Sequence, residues 1–123
     1  MTTPTLSIAA PQLYPLPYVD TTNTTPVQIL SYEVPRNDTL ALDFVIRASR
    51  TDGTFGSAAF RRQVTAINNA GTVTIPQDEV IGTDYNPGAW TLATSVSGTN
   101  VVVTVTGPSS STVRWTAAAV AIL

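Results

Sequence analysis

Six arginines and eight carboxylates are the whole charged inventory of this 123-residue chain. Arg61 and Arg62 are adjacent, and Asp78, Glu79 and Asp84 form the one acidic cluster in a segment without strand periodicity. Histidine and cysteine are absent, and every cation is an arginine: Arg36, Arg47, Arg50, Arg61, Arg62 and Arg114. That removes the commonest general base, the thiolate nucleophile and the Schiff-base amine. Serines are plentiful, but none has a basic side chain to take its proton. Oxygen ligands on a loop hold calcium, yet the spacing of Asp78, Glu79 and Asp84 matches no EF-hand, and a solvated loop is the plainer reading. Two carboxylates are also the machinery of glycoside hydrolysis, with nothing here beyond the acids themselves to support it. The expectation is a non-enzyme with no metal and no cofactor.

Arg61 and Arg62 are better suited to recognition. On a strand they point to opposite faces, and the guanidinium fork matches carboxylates across an interface. The structural alternative is an internal pair with Asp43 or Asp52. Trp90 and Trp115 read as core anchors, with a sugar-stacking platform as the alternative. Arg114 lies opposite Trp115 in strand parity, so Arg114 is exposed or paired where Trp115 is core.

The elements that must position these residues are strands. Threonine reaches 21 residues, and Thr, Val and Ile fit a pleated, half-buried surface. Val27 to Val34 is a strand closed by Pro35 and Arg36-Asn37-Asp38. Leu40 to Ser49 alternates cleanly, with Leu40, Leu42, Phe44, Ile46 and Ala48 on one face. Arg50-Thr51-Asp52-Gly53 turns into Phe55 to Ile67, which carries Phe60, Val64 and Ala66 on one face. After a turn at Asn68 to Gly71 comes a short strand, Thr72 to Ile75, then an irregular stretch from Pro76 to Gly88. Ala89 to Val96, Val101 to Thr106 and Thr112 to Leu123 complete about seven strands. Their spacing predicts an all-β fold, an antiparallel β-sandwich or barrel.

Ahead of this body, residues 27–123, lies a segment of different character. Residues 1–26 hold five of the nine prolines. Proline fixes φ and lacks a ladder donor, so an extended N-terminal arm is expected. The cluster Leu13, Tyr14, Leu16, Tyr18 and Val19 is too apolar for an ordinary disordered tail. It is expected to dock on a partner subunit or on its own domain, with Arg61 and Arg62 as further partner-binding residues.

Charged residues are only 11% of the chain and the net charge is −2. No basic run supports nucleic-acid binding. No apolar run reaches the roughly 20 residues of a membrane helix, and no signal segment is evident, so neither membrane nor export is expected. So weakly charged a surface suits a chain that works inside an assembly.

Two groups of residues carry a resemblance. The first is Val27-Gln-Ile-Leu-Ser-Tyr-Glu-Val-Pro35 followed by Leu40-Ala-Leu-Asp-Phe-Val-Ile-Arg-Ala-Ser-Arg-Thr-Asp-Gly53. The second is Trp90-Thr-Leu92, Val101-Val-Val-Thr-Val-Thr-Gly107 and Thr112-Val-Arg-Trp-Thr116. Over about residues 24–123 the chain resembles a β-domain recurring in virion structural proteins of tailed bacteriophages. The likeness implies an antiparallel β fold of head decoration (cement) proteins, head fibres or tail-fibre modules, commonly homotrimers, with no catalytic residues. Fibres carry such a domain inside a longer chain, whereas here it is nearly the whole sequence and a proline-rich arm stands in place of a stalk. Both differences favour a capsid decoration protein on the phage head, with the major capsid protein as partner. The alternative is a fibre module that binds a carbohydrate receptor through Trp90, Tyr85 and the loop from Asp78 to Gly88.

Overall fold

A computed structural model describes residues 16–123, which form eight strands and no helix. They are β1 (Tyr18–Thr21), β2 (Val27–Glu33), β3 (Asp38–Arg50), β4 (Ser57–Asn69), β5 (Thr72–Val80), β6 (Thr91–Ser97), β7 (Asn100–Thr106) and β8 (Val113–Ile122). A five-stranded sheet has the order β1-β8-β3-β4-β5, and a three-stranded sheet the order β2-β7-β6. Every pairing is antiparallel. The sheets face one another without closing, so of the two predicted architectures the sandwich is the one adopted and the barrel is not.

The alternation in β3 sets the core. Leu40, Leu42, Phe44, Ile46 and Ala48 are buried, while Ala41, Asp43, Val45 and Arg47 are exposed. Across the ladder Ala58, Phe60, Val64 and Ala66 of β4 continue that inner face, as do Val113, Trp115 and Ala117 of β8. The smaller sheet supplies Ile29, Leu30, Val101, Val103 and Val105. Each large apolar side chain withdrawn from water contributes about 1.5–3 kcal/mol, which offsets the entropy of ordering long strands. Trp115 is fully buried at the centre, stacked on Phe60 with centroids 6.1 Å apart and met edge-on by Trp90 at 5.9 Å. Both tryptophans are thus core anchors, Trp115 wholly and Trp90 in part.

Two sequence expectations change. Tyr18–Thr21, placed in the arm by its prolines, is a sheet strand: it is free of proline and pairs with Val113 to Thr116 of β8. Strand β5 runs on to Val80 where an irregular stretch was expected from Pro76. The register shifts between Thr65 and Ile67, so Ile75 and Pro76 together oppose Ala66. A proline in a bulge of an edge strand interrupts no ladder bond. Leu13 and Tyr14 lie outside the described residues.

Turn chemistry fixes the hairpins. Asn69 pairs with Thr72 across Ala70-Gly71, both at positive φ (54° and 102°), the signature of a type I′ turn. The buried Asn68 amide donates to the Val34 carbonyl at 2.8 Å and its oxygen accepts the Gly71 N–H at 2.8 Å, joining this hairpin to the end of β2.

Candidate partner-binding surface

A groove of about 660 Å³ opens on the surface of the described residues. Both sheets line it, with Leu30 and Tyr32 from β2 and Phe44 and Ala117 from the larger sheet. Leu16, Val45, Ile81 and Val120 line it as well, and Val45, Ile81 and Val120 are exposed apolar side chains. Burial against this wall pushes the Tyr32 hydroxyl above the usual phenol range.

Arg61 and Arg62 both line the groove but do different work. Residue 62 has the parity of Phe60 and Val64, so its side chain turns toward the sandwich interior and is only 12% exposed. Its guanidinium donates to both Asp84 carboxylate oxygens, at 2.7 and 2.9 Å, and lies 5.7 Å from the Phe60 ring centroid. Such a fork clamps the segment after β5 against the sheet. The Ala59–Tyr85 backbone pair, with hydrogen bonds of 2.8 and 3.1 Å, holds the same segment. The partner of Arg62 is therefore Asp84, neither Asp43 nor Asp52. Arg61 points outward and makes no ion pair among the described residues.

The other candidate residues are distributed as follows. Tyr18 is exposed, with the Arg114 guanidinium 4.2 Å from its ring centroid. Val19 packs on the core cluster. Leu16 is half-buried in the groove wall. Asp52 binds Arg50 at 3.2 Å and accepts the Thr112 N–H at 3.0 Å. Asp78 and Glu79 are adjacent on β5 and thus on opposite faces, while Asp84 is held by Arg62. No group of three acidic side chains able to hold a metal ion occurs among the described residues.

At a second surface, where the sequence pointed to Tyr85 and Trp90, it missed Phe55. Phe55 is 75% exposed and Tyr85 60% exposed, on the loops that flank the start of β4. Trp90 lies behind them, its backbone held by the Asn86 side chain through bonds of 2.7 and 2.9 Å. Gly56 and Gly88 pack on the Trp90 indole, where an added Cβ at Gly88 would stand 2.8 Å from Nε1.

No protein-family model matches the chain, and no curated protein matches it. Among solved structures it is similar to the tailspike protein of Acinetobacter phage vB_ApiP_P1, at 16% sequence identity and a TM-score of 0.48. The match covers 84% of this chain and 21% of the tailspike chain, so the chain spans about a fifth of that protein's length.

Proposed function

We propose that the chain is a structural module of a bacteriophage virion that decorates the head, seating its groove and N-terminal arm on the major capsid protein. The observation that carries this reading is the groove itself: exposed Val45, Ile81 and Val120 meet, at one surface, an Arg61 guanidinium with no ion pair among the described residues. An apolar floor with Arg61 and Asp43 at its rim fits protein interfaces, where Arg is enriched around an apolar centre. Leu16, the first described residue, lies in the same wall, so the arm enters where that surface begins. The sequence likeness to virion β-domains supplies the phage context, and the lack of histidine, lysine and cysteine supports a mechanical role over a catalytic one.

The test is co-migration of the purified chain with heads of the phage that encodes it, on a density gradient. Binding should saturate at a fixed stoichiometry, and Arg61→Glu together with Val45→Asp should abolish it. Removal of residues 1–15 should weaken it while leaving β1 intact. If the double variant binds as the parent does, the groove is not the docking surface.

A second reading has its own observation. The exposed Phe55 and Tyr85 rings suit stacking on a sugar, as in a receptor-binding fibre module. Binding to a glycan array that is lost in Tyr85→Ala but kept in Arg61→Glu would favour it.

A further inference from the structure

The edges of β5, β2 and β1 carry devices against pairing with another chain. Strand β5 has Pro76, a bulge and the charges Asp78 and Glu79. Strand β2 has a bulge between Gln28 and Leu30 and ends at Glu33. Strand β6 has no charge, proline or bulge and is guarded only by its exposed Thr91, Ser95 and Ser97. Strand β1 is four residues long and carries Asp20. These are the usual protections of an edge. Strand β8 is covered by β1 only as far as Ala117, whose N–H donates to the Pro17 carbonyl at 3.0 Å. From Ala118 to Ile122 it pairs with β3 on one side and with no described strand on the other. This stretch has no charge, no proline and no register shift, and Val120 and Ile122 are 60% and 61% exposed.

The ladder also shows why β1 stops there. Ala117 points its N–H at β1, so Ala119 and Ala121 point theirs to the same open side. Pro17 occupies a position that must return an N–H, and has none. Among the described residues the cover that β1 gives to β8 therefore ends at Pro17.

We propose that the open edge of β8 pairs with the same edge of a second copy, antiparallel about a twofold axis at Val120. Ala119 of each copy then faces Ala121 of the other, and each such pair exchanges both backbone hydrogen bonds. Ala118 faces Ile122 and Val120 faces Val120 of the second copy, so the open backbone groups of Ala119 and Ala121 satisfy one another among apolar side chains with no like-charge contact. The two five-stranded sheets merge into one. The contact is built from the backbone of β8, shares Val120 with the groove and leaves Arg61 outside it. It differs from the trimer expected from the sequence resemblance.

The test uses the full chain in solution. Sedimentation across a wide concentration range should give a dimer mass for the parent. Because the chain has no cysteine, Val120→Cys offers one thiol per copy, at a non-hydrogen-bonded pair close enough for a disulfide. Mild oxidation should cross-link Val120→Cys nearly completely and leave Ser95→Cys, exposed on β6, largely uncrosslinked. Ala121→Pro removes only a donor that faces the open side, so it should give a monomer with an unchanged β-sheet spectrum. A parent that stays monomeric or sediments as a trimer overturns the proposal. So does equal cross-linking at both cysteines, or a dimer that disappears when residues 1–15 alone are removed.

Discussion

The Trp115 indole N–H donates to the Thr21 hydroxyl at 3.0 Å, joining the first described strand to the last across 94 residues of sequence. Both residues are buried, so neither group has water as an alternative partner. Gly107 packs directly on the Thr21 hydroxyl, and a side chain at that position would displace it. Thr21→Val keeps the shape and removes the acceptor, leaving the indole N–H unsatisfied. The expected cost is about 1–3 kcal/mol in urea unfolding, with Thr21→Ser closer to the parent. Equal midpoints for Thr21→Val and the parent would show that the bond contributes nothing.

Arg62 and Asp84 control the segment after β5. The pair is largely shielded from water, and removing the carboxylate charge leaves a mostly buried guanidinium short of a partner. Asp84→Asn is expected to destabilise by about 1.5–3 kcal/mol, the range for hydrogen bonds to charged groups. The effect should be local as well. Amide exchange at Ala59 and Tyr85, which are hydrogen-bonded to each other, should quicken more than exchange at Ile46 in the centre of β3. Uniform quickening across the sheet would argue against a local clamp.

Much of the sandwich was legible in the sequence because one periodicity carries it. In β3 every second residue from Leu40 to Ala48 is apolar, and a period of two admits only one buried face. The pairing of Arg62 was not legible, since Asp84 arrives from 22 residues away and only the path of the intervening chain brings it close. Proline misled in two places. Pro17 drew attention from the proline-free Tyr18–Thr21, and Pro76 suggested a strand end where a bulge absorbs it. The groove was legible only in fragments: Leu16, Arg61 and Arg62 were singled out, but Tyr32 and Ile81 join them only through the meeting of two sheets.

Two carboxylates set an acid sensitivity. The Arg114 fork, at 3.0 and 3.2 Å, holds the Asp20 carboxyl below its ordinary range, with desolvation opposing. Asp52 is lowered chiefly by the Thr112 N–H and secondarily by Arg50. A folded pKa below the unfolded one, which lies near 3.9 for Asp, adds stability at higher pH. That contribution is lost as pH falls through the folded value. The melting temperature of the parent should therefore drop below about pH 4 more steeply than that of the Asp20→Asn, Asp52→Asn double variant. Parallel curves would mean that neither contact is linked to folding.

Thr94 invites the opposite kind of change. Its hydroxyl is buried without a hydrogen-bond partner among the described residues, on β6 directly across from Val103. A hydroxyl that left water and found no acceptor costs about 1–3 kcal/mol, a penalty the isosteric methyl of valine does not carry. Valine is also at least as good a strand former. Thr94→Val is expected to raise stability by about 1 kcal/mol, read as a higher urea midpoint at unchanged m-value. A lower midpoint would mean that the hydroxyl is satisfied in solution, by water entering between β6 and the larger sheet. The small sheet would then be more loosely seated on the core than the packing of Leu92 and Trp90 implies.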